Sequence, residues 1–174
     1  MVKIIFGVLL SLTITTSNAN PLHQWLDGLS QKFEKPKSDL NFKGKVVSVS
    51  DGDTLVVLGE NNKQYKVRLS EIDAPEKSQA FGQASKNSLS EMAYKRYAVA
   101  SCSGKDQYDR YICKVTVDGL EVNKTQVSRG YAWVYKQYSK RAELLNAENA
   151  AREIGVGLWA ESNPTPPWEY RRNN

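Results

Sequence analysis

Polar Lys43, Lys45 and Ser48 interrupt an apolar run over 42–49, a period close to two that predicts a β-strand. The stretches 54–58 and 64–69 predict two more. Asp51-Gly52 reads as a tight turn after the first strand and Gly59-Glu-Asn-Asn as a turn after the second, so the three form a meander. The spacing then lengthens. Ala84, Leu89, Met92 and Ala93 recur at helical intervals and predict a helix over 83–95. Strands follow at 97–102 and 111–117, flanking the loop 103–110, and Asp118-Gly119 makes another turn. A short helix at 122–129 stops at Gly130, a residue suited to the position just past a helix end. The last helix, 141–153, draws its apolar face from Leu144, Leu145, Ala147, Ala151 and Ile154. The proline-rich run Asn163-Pro-Thr-Pro-Pro-Trp168 cannot continue a helix and opens a tail, 162–174. Five strands in this order, with a helix between the third and fourth, predict an α+β fold built on a small Greek-key barrel.

Two segments precede the barrel. Lys3 followed by apolar residues to Ile14, then small residues at Ser17 and Ala19, reads as an export signal over 1–19. That apolar run is too short to span a bilayer comfortably, and no later segment is apolar enough to do so. The mature chain is therefore expected to be free of the membrane, periplasmic or secreted. Residues 20–40 are polar, with Leu22, Trp25, Leu26, Leu29 and Phe33 partly at helical spacing, and read as an N-terminal leader, either a short amphipathic helix or a loosely docked segment. The remaining 41–161 is long enough for one domain with its own core.

The 24 Lys and Arg exceed the 19 Asp and Glu, a net charge of +5 that suits an anionic polymer as partner. His23 is the single histidine and lies in the leader, which argues against paired-histidine mechanisms and a serine–histidine triad. General-base work must then fall to a carboxylate. Cys102 and Cys113 sit at the two ends of the predicted hairpin around 103–110. In an exported chain such a pair is expected to be bridged.

The chemistry gathers in two places. Asp51-Gly-Asp53-Thr54 and Arg68-Leu-Ser-Glu-Ile-Asp73-Ala-Pro-Glu76 put carboxylates and an arginine around short strands and turns. Asp53 and Asp73 are hard oxygen ligands suited to Ca²⁺ or Mg²⁺. Glu76, beside a proline that restrains the local backbone, is a carboxylate available to a water. Arg68 is a planar fork matched to phosphate oxygens, and Asp106-Gln-Tyr108-Asp-Arg110 supplies a second. Each group also has a plainer use: a turn aspartate bonding nearby N–H groups, a surface glutamate, or a local ion pair of Arg110 with Asp106 or Asp109. The aromatic residues Tyr131, Trp133, Tyr135 and Tyr138 lie near Lys136, Lys140 and Arg141, a mixture that could stack bases.

Taken in order with Val122-Asn123, Arg129-Gly130 and Gly157-Leu158-Trp159, these motifs resemble the staphylococcal nuclease (thermonuclease) family over most of the mature chain. The resemblance implies a five-stranded OB-fold barrel with three packed helices. It implies a hydrolase, an endonuclease acting on DNA and RNA with single-stranded or frayed regions preferred, and Ca²⁺ as cofactor. Asp53, Asp73 and the backbone carbonyl of Ala74 would hold the metal, Glu76 would activate or orient water, and Arg68 and Arg110 would clamp the phosphate. Tyr108, with Tyr135 and Tyr138, would contact substrate. Products would carry 3′-phosphate and 5′-hydroxyl ends, and no obligate protein partner is implied. The chain departs from many relatives at Asp109, where they carry glycine. The competing reading is a non-catalytic nucleic-acid-binding module on the same barrel. Retention of all five carboxylate and arginine positions favours chemistry.

Overall fold

A computed structural model describes residues 40–174. The expected signal over 1–19, and all of the leader except Leu40, lie outside the described residues. Within them the barrel strands are β1 (Leu40–Val49), β2 (Thr54–Leu58), β3 (Gln64–Leu69), β5 (Tyr97–Lys105) and β6 (Tyr111–Val117). The alternation does what the sequence suggests. In β5, Ala98, Ala100 and Cys102 point inward and are buried, while Tyr97 and Val99 are exposed. Val46, Leu55, Val57, Val67, Leu69 and Val115 complete the apolar interior.

The strands pair antiparallel in the order β3-β2-β1-β5-β6, and the sheet closes on itself because β3 also pairs parallel with β6. The closure sets Val67 against Tyr111, Arg68 against Ile112 and Leu69 against Cys113. Closing removes the exposed edges of the sheet. It also lays the strand carrying Arg68 beside the start of the strand that follows Arg110. Two short pairs lie outside the predicted set: β4 (Ile72–Asp73) against β8 (Trp133–Val134), and β7 (Leu120–Glu121) against the end of β6.

Around the barrel pack α1 (Gly82–Ala93), α2 (Val122–Ser128) and α3 (Ala142–Glu153), each within two residues of its expected ends. A fourth helix, α4 (Pro167–Asn173), corrects the expectation of three helices and an irregular tail. Pro166 does keep the chain extended, but Pro167 stands at the first helical position, where its missing N–H costs nothing.

Two motif glycines are required by contact. A Cβ on Gly52 would lie 1.8 Å from Ser85 Oγ of α1, and the carbonyl of Gly52 accepts a bond from buried Gln126 of α2 at 2.7 Å. Gly52 does not have a positive φ, so it is not the left-handed hairpin glycine that the Asp-Gly pattern suggests. Gly130 combines both demands: φ is +71°, and a Cβ would lie 2.1 Å from Val156 O. Its carbonyl accepts the Leu158 N–H, so the Arg-Gly and Gly-Leu-Trp motifs meet in space.

Candidate active site

Asp53 ends the turn before β2. Its Oδ2 accepts the Ala74 N–H at 2.8 Å and faces Arg68 Nη2 at 3.0 Å, while its Oδ1 accepts the Thr54 hydroxyl at 3.1 Å. Asp73 is almost wholly buried and is fixed by the β4–β8 pair opposite Trp133. Its Oδ1 accepts Arg68 Nη2 at 2.9 Å. The two aspartates therefore converge on a single guanidinium nitrogen although twenty residues separate them in the chain. Burial raises the Asp73 carboxyl above its usual range, against the opposing pull of Arg171 and Arg68. Asp51 is the turn former: its Oδ1 accepts the Asp53 N–H at 3.0 Å. Burial, then the neighbouring Asp53 charge, pushes it up to about 6.

Arg68 is held on several sides. Nη1 donates to the carbonyls of Leu69 and Ile72 at 2.6 and 2.8 Å, and Nη2 faces both aspartates. Val67 and Leu69 point into the core and Arg68 to the opposite face, as strand alternation requires. Arg110 is tied to Asp106. Its Nε donates to Oδ2 at 2.8 Å, its Nη2 lies 2.7 Å from the same oxygen, and its backbone N–H donates to Oδ1 at 3.0 Å. Burial would raise the Asp106 carboxyl, but the bonds from Arg110 and the Tyr108 N–H outweigh it and hold the group below its usual range. Asp109 takes no part in that pair. It bonds Lys105 Nζ at 2.6 Å, and its φ of +58° explains why glycine suits this position, with aspartate one of the few tolerated alternatives.

Asp53, Arg68, Asp73, Ala74, Glu76, Tyr108, Arg110, Tyr135 and Tyr138 all line one open cleft of about 900 Å³. Tyr108 and Tyr138 are exposed at its margins, and Tyr135 meets Tyr138 edge to face at 4.8 Å. The cleft walls also carry Lys66 and Lys105, which favour an anion. Cys102 and Cys113 are direct cross-strand partners and form a disulfide at the base of the loop that carries Tyr108 and Arg110.

Among the described residues no group of three or more His, Cys, Asp or Glu side chains is arranged to hold a metal. The donor set is two convergent aspartates in an open cleft. It fits a hard cation that completes its shell with backbone oxygen, water and phosphate, and it lacks the histidine or cysteine ligands that zinc sites ordinarily include.

The sequence reading missed Arg171 and Trp168 of α4. Arg171 Nη2 donates to Asp73 Oδ2 at 2.8 Å, and its Nη1 donates to Glu76 Oε1 at 2.7 Å and to Asp73 Oδ1 at 3.2 Å. Trp168 stacks parallel to Tyr135, ring centres 5.5 Å apart. The one local signal was Pro167 at a possible helix start, followed by Glu169 and the basic pair Arg171-Arg172.

Residues 66–161 match the model of the family described as staphylococcal nuclease homologue. An uncharacterized endonuclease of Haemophilus influenzae is 48% identical over 128 residues, covering 74% of this chain and 72% of that protein. An uncharacterized endonuclease of Escherichia coli is 36% identical over 140 residues, 80% of this chain and 91% of its own. The micrococcal nuclease of Shigella flexneri is 34% identical over 143 residues, 76% and 82% respectively.

Proposed function

The chain belongs to the staphylococcal nuclease homologue family and is a hydrolase of nucleic-acid phosphodiester bonds; on that premise we propose a Ca²⁺-dependent cleavage of DNA and RNA centred on Glu76. The convergence of Asp53, Asp73, Glu76, Arg68 and Arg110 on one basic-walled cleft carries the reading.

Glu76 takes a proton from water as the water oxygen forms its bond to phosphorus. The bond from phosphorus to the departing 5′ oxygen breaks in line with that attack, and the leaving oxygen takes its proton from solvent. A 3′-phosphate and a 5′-hydroxyl result. Arg110 and Arg68 bind the non-bridging oxygens, where negative charge grows as phosphorus becomes five-coordinate. For Arg68 this means exchanging an aspartate contact for a phosphate contact. When bound by Asp53, Asp73 and the Ala74 carbonyl, a divalent cation supplies further positive charge at the phosphate. Tyr108, Tyr135 and Tyr138 offer faces and hydroxyls to the flanking nucleotides, and stacking of this kind favours unpaired strands. Water as nucleophile makes the 2′-hydroxyl unnecessary, so both sugars are accepted.

The reading includes export through removal of residues 1–19, with the mature protein periplasmic or secreted. The Cys102–Cys113 bond supports it, since such bonds persist in oxidising compartments. The N-terminus of the protein recovered from the periplasm or medium is expected to be Asn20.

The decisive experiment incubates purified protein with single-stranded DNA and with RNA, in Ca²⁺ and in chelator, and assigns the product ends. Cleavage confined to the Ca²⁺ samples with 3′-phosphate ends is expected. Full cleavage in chelator removes the cation from the mechanism. Tight binding without cleavage under all conditions favours the non-catalytic module.

A further inference from the structure

Arg171 bridges the two carboxylates that the proposed chemistry needs most. It pairs with both oxygens of Asp73, at 3.2 and 2.8 Å, and with Glu76 Oε1 at 2.7 Å. This is not a stray surface contact. Four separate contacts hold the helix that carries it and the segment just before that helix. Trp168 stacks on Tyr135 and meets Trp133 edge to face at 5.6 Å. The hydroxyls of Tyr170 and Ser78 lie 3.1 Å apart, and Gln79 donates to the Thr165 carbonyl at 2.6 Å. Pro166 and Pro167 restrain the backbone where the helix starts. Residues 162–174 also lie beyond the 66–161 stretch that matches the family model, so the arginine is supplied by a segment outside that common part.

We infer that Arg171 is a built-in counter-cation that competes with the divalent metal for Asp73 and thereby sets the metal affinity of the site. The inference rests on the proposed use of Asp53 and Asp73 as metal ligands. A carboxylate that gives both oxygens to a guanidinium has its charge largely neutralised and its lone pairs engaged. A divalent ion at Asp73 would also stand close to a fixed positive charge, in a cleft where Arg68 already contributes one. Loading therefore requires Arg171 to withdraw. With a side chain 43% exposed at the cleft mouth, it has room to do so. Conversely, Arg171 relieves the repulsion among Asp53, Asp73 and Glu76 when no cation does.

The test is calorimetric titration of Ca²⁺ into the full-length mature protein without nucleic acid, together with thermal melting in chelator. Arg171→Ala is expected to tighten Ca²⁺ binding roughly tenfold, about 1.4 kcal/mol, and to lower the melting temperature in chelator but not in saturating Ca²⁺. Arg171→Lys, which keeps charge but loses the fork, should fall between the two. Trp168→Ala, which loosens the helix without changing charge, should tighten binding in the same direction. Unchanged or weaker binding in Arg171→Ala overturns the inference; weaker binding would mean that the arginine orients the ligands. Asp73→Asn separates the two readings. If it abolishes binding while Arg171→Ala leaves binding unchanged, the metal site stands and the competition fails. If Asp73→Asn binds as the wild type does, the metal assignment fails and the competition fails with it.

Discussion

Glu76 owes its position to Pro75 before it and to its own N–H, which donates to Gln79 Oε1 at 3.1 Å. Its carboxylate is engaged by an arginine and not by the core, so removing its charge should not unfold the protein. Glu76→Gln is expected to lower turnover by roughly 10²–10⁴, the ordinary worth of a general base, with substrate binding changed much less. Single-turnover kinetics beside equilibrium binding of an uncleaved strand checks this; near-normal turnover would make Glu76 structural. The arginines differ in kind. Arg68 serves two backbone carbonyls and two aspartates at once, which an ammonium cannot reproduce, so Arg68→Lys should lose stability as well as rate. Arg110 is held by Asp106 alone among the carboxylates, and Arg110→Lys should lower kcat/KM at least about tenfold while stability changes little. A normal rate in that variant would reduce Arg110 to its ion pair.

At the scale of elements, the Asp51-Gly52-Asp53 turn is held by helices. Gln126 of α2 donates to the Gly52 carbonyl, and Ser85 of α1 fills the space that a Cβ on Gly52 would need. Gly52→Ala is expected to cost about 1–3 kcal/mol, as overpacking does, and to displace Asp53 with it. Urea denaturation and Ca²⁺ titration of the same variant test both halves, and wild-type values in each would show that the turn yields freely. The β5–β6 hairpin is closed by its disulfide, with the two cysteines 11 residues apart. Replacing both by alanine should cost about 3 kcal/mol in the chain-entropy model. Because the loop above the bridge carries Arg110, activity should fall further than the loss of folded protein explains. Activity normalised to folded fraction separates the two effects.

For the whole molecule, the proposed cation site would link binding to stability. A ligand that binds only the folded form stabilises it by mass action, about 2.7 kcal/mol at a hundred times its dissociation constant. Ca²⁺ is therefore expected to raise the melting temperature in a concentration-dependent way, and Asp53→Asn and Asp73→Asn should abolish the rise. A rise that survives both substitutions would place the ion elsewhere. Barrel closure matters at this scale too. The parallel β3–β6 pairing includes Arg68, opposite Ile112, and so sets the distance between that arginine's strand and the loop of Arg110.

The five barrel strands and three of the helices were legible along the chain, because side-chain periodicities of two and 3.6 are local properties of the backbone. The bridge between Cys102 and Cys113 was legible on other grounds, the oxidising compartment that an export signal implies and the hairpin that sets its two ends opposite one another. The carboxylates and arginines of the cleft were legible as motifs, although nothing local distinguishes Asp53 as a ligand from Asp53 as a turn former. Tertiary structure decided what depends on residues far apart in sequence. The β4–β8 pair is two residues long on each side, too short for any period, yet it buries Asp73. Gly52 is required by Ser85, on a helix that begins 30 residues later with Gly82, and not by its own backbone angle. Arg171 meets Asp73 across 98 residues of chain. A proline-rich tail gives no sign of where it docks, because that is settled by the aromatic surface of Trp133 and Tyr135, which exists only once the barrel has closed.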